Sequence, residues 1–210
     1  MKQCCRCGTV VAMFELRSCR EPDCTYPAVA DEPVCYEHLP DKRAFTAELV
    51  TRITREGELL DTDLSGIVFE KVDFSNVSMR GCRFSNATFS GCVLSSAEVE
   101  LCFFDYARFA DCTVHDALIR NSVFGGAVVT NCDYGGSDIV QCSWNGASCT
   151  EVTFDRTDLL HSRFLGAELT DTSFRNCNLK AVLFSRSNRV RVSFKYSNDE
   201  DATFEEPPRT

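Results

Sequence analysis

The chain has one tryptophan, Trp144, three histidines and six prolines among 210 residues, and no apolar run reaches membrane-spanning length. The run Val10 to Phe14 is too short for a signal-peptide core, and the expected placement is cytoplasmic. His115 and His161 lie far apart without an evident Ser or Cys partner, so no nucleophile–base pair is on offer and both are expected on the solvated surface. A glycine-rich phosphate loop is also missing, because Gly125-Gly126 and Gly135-Gly136 fall at turns that already explain them. Nothing in these residues asks for an enzyme. Positive charge is short as well: the net charge is −9 and the pI near 4.9, which argues against a general binder of phosphate backbones.

What the sequence does have is a period of five. Large apolar residues recur at every fifth position from Leu59 through Phe69, Phe84, Phe104, Phe124, Trp144, Phe164 and Phe184 to Phe194, with a miss at Arg189. Two residues before most centres the side chain is small and alternates in type, as in Cys82, Ala87, Cys92, Ala97, Cys102, Ala107. Two residues after it Gly, Asn and Asp collect, residues that tolerate positive φ or bond their own backbone at turns. Five fits neither a helix face nor a flat strand, so the chain must turn a corner once per repeat and stack on itself as a solenoid. The Cys/Ala alternation makes the sub-period ten, which needs an even number of faces. Four faces of five residues is the smallest coil with an interior.

The runs Ala87-Thr88-Phe89, Ala107-Arg108-Phe109, Ser137-Asp138-Ile139, Thr157-Asp158-Leu159, Ala167-Glu168-Leu169 and Cys177-Asn178-Leu179 resemble the Ala-(Asp/Asn)-Leu-x-x unit of pentapeptide-repeat proteins. The resemblance covers about two thirds of the chain and implies an all-β solenoid, a right-handed quadrilateral β-helix. About seven coils at ~4.8 Å each give a rod of ~30–35 Å. Phe103, Leu118, Val123 and Val128 depart from the unit at its Asp/Asn position.

Fourteen cysteines are many, and eight of them lie in the repeats, all but Cys149 at the small inward position, where a free thiol acts as a small hydrophobe. Cys149 stands at a centre directly after Trp144, which suggests compensation in volume. The other six fall within residues 1–40, where Cys19, Cys24, Cys35 and His38 have the spacing of a closed tetrahedral zinc site in a segment too short for a core of its own. Cys4 and Cys7 form a knuckle-like pair that is an alternative partner for Cys35 and His38. Residues 41–58 read as a helix that caps the first coil, starting at Pro40-Asp41, repeating Phe45, Leu49, Ile53 and stopping at Gly57. The solenoid is assigned to 59–196 and an acidic tail to 197–210, with Ala202-Thr203-Phe204 keeping the old register.

Charge is polarised along the rod. Residues 98–155 carry a net −7, and 156–196 a net +5. Quinolone-resistance members of the resembled family imitate DNA and bind DNA gyrase, which makes an acidic gyrase-directed mimic the rival reading. These carboxylates are too sparse for duplex DNA and spread over all four faces. Outward apolar residues suggest a protein partner instead: Phe103 and Val123 one coil apart, Tyr106 at the adjoining corner, and Leu101 and Leu118 near the preceding one. The expected function is a rigid interaction scaffold, with a second copy among its candidate partners and no direct contact with nucleic acid or membrane.

Overall fold

The computed structural model describes residues 17–205. From Glu58 onward each strand pairing is parallel and joins residues twenty apart, so one coil is four pentapeptides. Coil 1 is numbered from Glu58 to residue 77, and the solenoid makes about seven such turns. Twelve three-residue strands line two faces. The first face is β1 (Glu58–Leu60), β3 (Ser78–Arg80), β5 (Glu98–Glu100), β7 (Leu118–Arg120) and β9 (Asp138–Val140) in that order. The third face is β2 (Val68–Glu70), β4 (Thr88–Ser90), β6 (Arg108–Ala110), β8 (Val128–Thr130), β10 (Ser148–Thr150), β11 (Glu168–Thr170) and β12 (Asn188–Val190). The second and fourth faces are columns of single bridges, running from Asp63↔Arg83 to Leu183↔Thr203 and from Asp73↔Val93 to Ser173↔Ser193.

The small residues alternate because the corners do. At one kind of corner an N–H to C=O bond spans the bend, as from Ala87 N to Phe84 O and from Ala107 N to Phe104 O, each 3.0 Å. At the intervening kind the small residue's N–H reaches a side chain one coil on: Cys102 N to Ser122 Oγ at 3.1 Å, Cys112 N to Cys132 Sγ at 3.4 Å, Cys142 N to Ser162 Oγ at 3.0 Å. Those side chains also donate backwards, Cys102 Sγ to Met79 O at 3.5 Å and Ser162 Oγ to Ile139 O at 2.7 Å. Buried backbone groups must find partners, so a small donor is needed at these corners while alanine suffices at the others.

Each coil carries its large rings in a constant cross-section. The second face holds a stacked column, Phe84, Phe104, Phe124, Trp144, Phe164, Phe184 and Phe204, with neighbouring centroids 4.0–5.8 Å apart. On the third face the centres shrink from Phe109 to Val129 and Cys149, while on the fourth they grow from Val114 to Tyr134 and Phe154. Trp144 and Cys149 are both fully buried in coil 5, so the largest inward side chain neighbours the smallest centre.

Helix α1 (Lys42–Glu56) starts where Asp41 accepts from Ala44 N at 2.9 Å and ends at Gly57 with φ 70°. Its Leu49 and Ile53 are buried in the same apolar cluster as Leu59, Leu64 and Phe69, so the helix lies on the first coil. Phe45, the third residue of the expected stripe, is only partly buried. At the other end the path does not change at the missed centre Arg189: β12 keeps its register against β11. The pairing then continues into residues assigned to the tail, with bridges Asn178↔Asn198 and Leu183↔Thr203. Arg189 stands at a centre position and closes the end of the interior. Its guanidinium donates to Phe184 O at 3.1 Å, Ser187 Oγ at 2.9 Å and Phe204 O at 3.0 Å, and lies over the Phe204 ring.

Candidate functional site

Residues 17–39 fold as a short antiparallel contact, Ser18↔Pro27, followed by a single 3-10 turn, Tyr36–His38. The contact is held by Cys19 N to Tyr26 O at 3.1 Å and Ala28 N to Arg17 O at 2.7 Å. A bond from Ala30 N to Asp63 O, 2.7 Å, ties this module to the first coil. The effect is to bring Cys19, Cys24, Cys35 and His38 together with all ligand atoms within 4.8 Å of one another, a group that could hold a metal ion. Cys19 Sγ and Cys35 Sγ each lie 3.4 Å from His38 Nδ1, and Cys24 Sγ lies 3.8 Å from Cys35 Sγ. Bonds of about 2.3 Å to sulfur and 2.0–2.1 Å to nitrogen around a tetrahedral ion set edges of ~3.8 Å between sulfurs and ~3.6 Å between sulfur and nitrogen. The donor set therefore fits.

Backbone amides support it. Burial disfavours the Cys19 thiolate, but N–H groups of Cys35 and Glu21 together with His38 outweigh that and lower the thiol to about 6. The N–H of Tyr26 points at Cys24 in the same way, though burial and the neighbouring thiols leave Cys24 raised. Cys4 and Cys7, the alternative ligand pair, lie outside the described residues.

The expected contact residues fall in two groups. Phe103 and Val123 are bridged one above the other on the second face, both half-buried. Tyr106 stands at the adjoining corner, 67 % exposed, with its ring laid over Gly126 so closely that an added Cβ there would come within 2.6 Å of it. Leu101 is at the corner between first and second faces, while Leu118 sits apart in β7 on the first face. Sequence reasoning missed the other wall. Tyr26, 60 % exposed, and Tyr36 overhang the second face and make a cleft with Ser65, Arg83, Asn86, Asp105 and Tyr106. Burial there pushes the Asp105 carboxyl above its ordinary value, with the Arg83 charge pulling the other way. No signal in the chain links Tyr26 to Tyr106, because their proximity depends on how the module docks.

His115 takes a partner that the spacing could have revealed. Its Nε2 lies 2.7 Å from Asp133 Oδ2, eighteen residues on and hence one coil further in the neighbouring column. The same offset joins Ser173 Oγ to Asp155 Oδ1 and Ser185 Oγ to Thr203 Oγ1. No nucleophile completes the His115 pair among the contacts of the described residues.

A family model for pentapeptide repeats matches the chain in eight copies, over residues 58–95 and 147–186. Over those stretches the chain is similar to the pentapeptide-repeat family. The unmatched repeats between those stretches include Phe103, Leu118, Val123 and Val128, which break the family's unit yet keep the coil. Among solved structures, the chain is similar to HetL, a pentapeptide-repeat protein involved in heterocyst differentiation regulation from the cyanobacterium Nostoc, at 14 % identity over 73 % of this chain and 92 % of that one, with a TM-score of 0.41. A trypsin-treated form of QnrB1, a plasmid-mediated fluoroquinolone resistance protein, is similar at 18 % identity over 70 % and 76 %, with a TM-score of 0.36. A pentapeptide-repeat protein of the cyanobacterium Cyanothece follows at 13 % identity over 76 % and 99 %, with a TM-score of 0.23. No curated protein matches the chain. No helix among the described residues is long and apolar enough to cross a membrane.

Proposed function

We propose that the chain is a non-catalytic interaction scaffold whose rigid rod presents the second face to a protein partner, with a structural zinc ion holding the N-terminal module against that face. The observation that carries the reading is Tyr106, a largely exposed ring fixed over Gly126 at the mouth of the cleft, next to the Phe103–Val123 column. Large aromatic side chains on rigid supports lose little conformational freedom on docking, which is what contact centres need. Cys19, Cys24, Cys35 and His38 would hold the zinc, which would cross-link a segment too short to be stable alone. Free buried thiols along the rod suit a reducing compartment such as the cytoplasm.

A photo-reactive residue at Tyr106 tests the surface: a partner cross-linked in cells from position 106 and not from Ser95, on the opposite face, is expected. Equal yields from both positions overturn the reading. Phe103→Asp with Val123→Asp is expected to abolish the same cross-link. Stoichiometric inhibition of gyrase supercoiling, or protection from quinolones, would decide for the DNA mimic instead. For the metal, the purified chain is expected to contain zinc that a Cys35→Ser/His38→Ala variant lacks. Zinc retained in Cys19→Ser/Cys24→Ser would move the site to Cys4 and Cys7.

A further inference from the structure

The cleft between the N-terminal module and the second face has its charges balanced in all but one place. Its floor rises through three coils, with Ser65 in coil 1, Arg83 and Asn86 in coil 2, and Asp105 and Tyr106 in coil 3. Tyr26, Tyr36 and Glu37 belong to the facing wall. Lys42 meets Glu37 at 2.5 Å, and its Nζ lies 5.4 Å from the centre of the Tyr36 ring. Asp63, behind the floor, meets Arg83 at 4.0 Å. Asp105 joins no ion pair among the described residues, and the pull of Arg83 on it falls short of what burial takes away. One half-buried carboxylate is therefore left over. Ser65 Oγ, deeper in the same cleft, is buried without a hydrogen-bond partner.

We infer that the cleft receives an arginine side chain of the protein partner, its guanidinium meeting the Asp105 carboxylate and its plane lying against the Tyr106 ring. The inference rests on the reading that the second face docks a protein, and it names the group by which that protein is held. A surplus carboxylate sheltered from water calls for one positive charge, and an anion would face Asp105 and Glu37 with both local cations already engaged. Charge alone would admit lysine. The rest of the lining selects arginine. Asp105, Asn86 and Ser65 offer acceptor oxygens on three successive coils, which suits a planar fork of five donors better than a single ammonium. A guanidinium is also less strongly hydrated than an ammonium, so a half-buried site costs it less, and it stacks on aromatic faces such as those of Tyr26 and Tyr106, both largely exposed. The chain already sets a cation over a ring at this wall, with Lys42 on Tyr36. A volume of about 540 Å³ has room for the side chain and the backbone that carries it. Phe103, two residues before Asp105 on the same face, lies where the apolar stem of the arginine would run.

Titration of the full chain with N-acetyl-arginine amide, followed through the amide resonances of Asn86 and Tyr106, tests the inference. Saturable shifts are expected with a dissociation constant on the order of millimolar, as befits one side chain taken from a larger contact. N-acetyl-lysine amide should bind at least about fivefold more weakly. Asp105→Asn should weaken the arginine probe by about tenfold while resonances of coils 5 to 7 stay in place, and Asp105→Glu should recover part of the loss, which separates the charge from damage to the fold. Absence of shifts in the unaltered chain overturns the inference, as does equal binding of the lysine probe or indifference to Asp105→Asn. Inorganic phosphate moving the same resonances would mean that Arg83 reads an anion there, and free arginine binding more tightly than the amide would make the occupant an amino acid instead of a protein; either result overturns it. A partner cross-linked from position 106 in a chain that ignores the arginine probe sinks this inference alone. Arginine binding without any such cross-link strikes the partner reading and leaves the guanidinium site standing.

Discussion

Tyr134 is fully buried in coil 4 and its hydroxyl has no hydrogen-bond partner, although the ring stacks on Phe154 at 5.0 Å. A buried hydroxyl without a partner costs its desolvation and returns nothing. Tyr134→Phe keeps the ring and is expected to stabilise the chain by about 1 kcal/mol, raising Tm in a thermal melt by about 2–4 °C; a lower Tm would mean that the hydroxyl has a partner after all. The buried thiols make a second expectation. Burial pushes Cys142 and Cys149 up to about 12. A free thiol in the unfolded chain ionises near 8.5. With the folded value raised, the unfolded chain binds fewer protons between those two values, so stability is fully present below about 8.5 and is lost as pH climbs towards 12. Each such thiol contributes a slope of about 1.4 kcal/mol per pH unit in that window. Denaturant unfolding at two alkaline pH values should show this fall, and Cys149→Val, the residue type one coil earlier at Val129, should make it shallower.

At the scale of the coil, the interior was legible in the sequence because it repeats. The Cys/Ala alternation follows from two kinds of corner, so a pattern of side chains reported a pattern of backbone hydrogen bonds without either being visible. Arg189 was readable only as a missed centre. Its role comes from the carbonyls of Phe184 and Phe204, whose positions depend on coils being closed above and below it. The cleft was not legible at all, since Tyr26 comes from a segment outside the repeat, whereas the cluster of Cys19, Cys24, Cys35 and His38, which could hold a metal ion, announced itself by its spacing. The end closure has its own consequence. A solenoid is held together by neighbour contacts, so a change at one end loosens that end first. Arg189→Ala removes the guanidinium bonds to Phe204 O and Phe184 O, the latter keeping its bonds from Ser187, and faster amide exchange is expected at this end of the rod, as at Ser193 in coil 7 and Asn198 just beyond it, with protection in coils 2 to 5 unchanged. Uniformly faster exchange would show that the rod unfolds as one unit and that Arg189 is not a local closure.

Over the whole molecule the two ends are closed by different means. A parallel β-solenoid ends in backbone groups poised to pair with another edge, and an uncovered end invites stacking. Arg189 and the Phe204 coil cover one end with side chains, while α1 and the module that carries Cys19, Cys24, Cys35 and His38 cover the other with a separate layer, Leu49 and Ile53 sealing Leu59 and Leu64. Removing residues 1–57 therefore bares both the apolar floor and the edge of coil 1. The shortened rod is expected to associate end to end, and sedimentation should show species that grow with concentration. Apolar end stacking of this kind persists or strengthens at high salt, which separates it from association by charge. A shortened rod that stays monomeric and keeps the Tm of the full chain would show that coil 1 closes itself. The helix would then have to be explained by what its outer side binds.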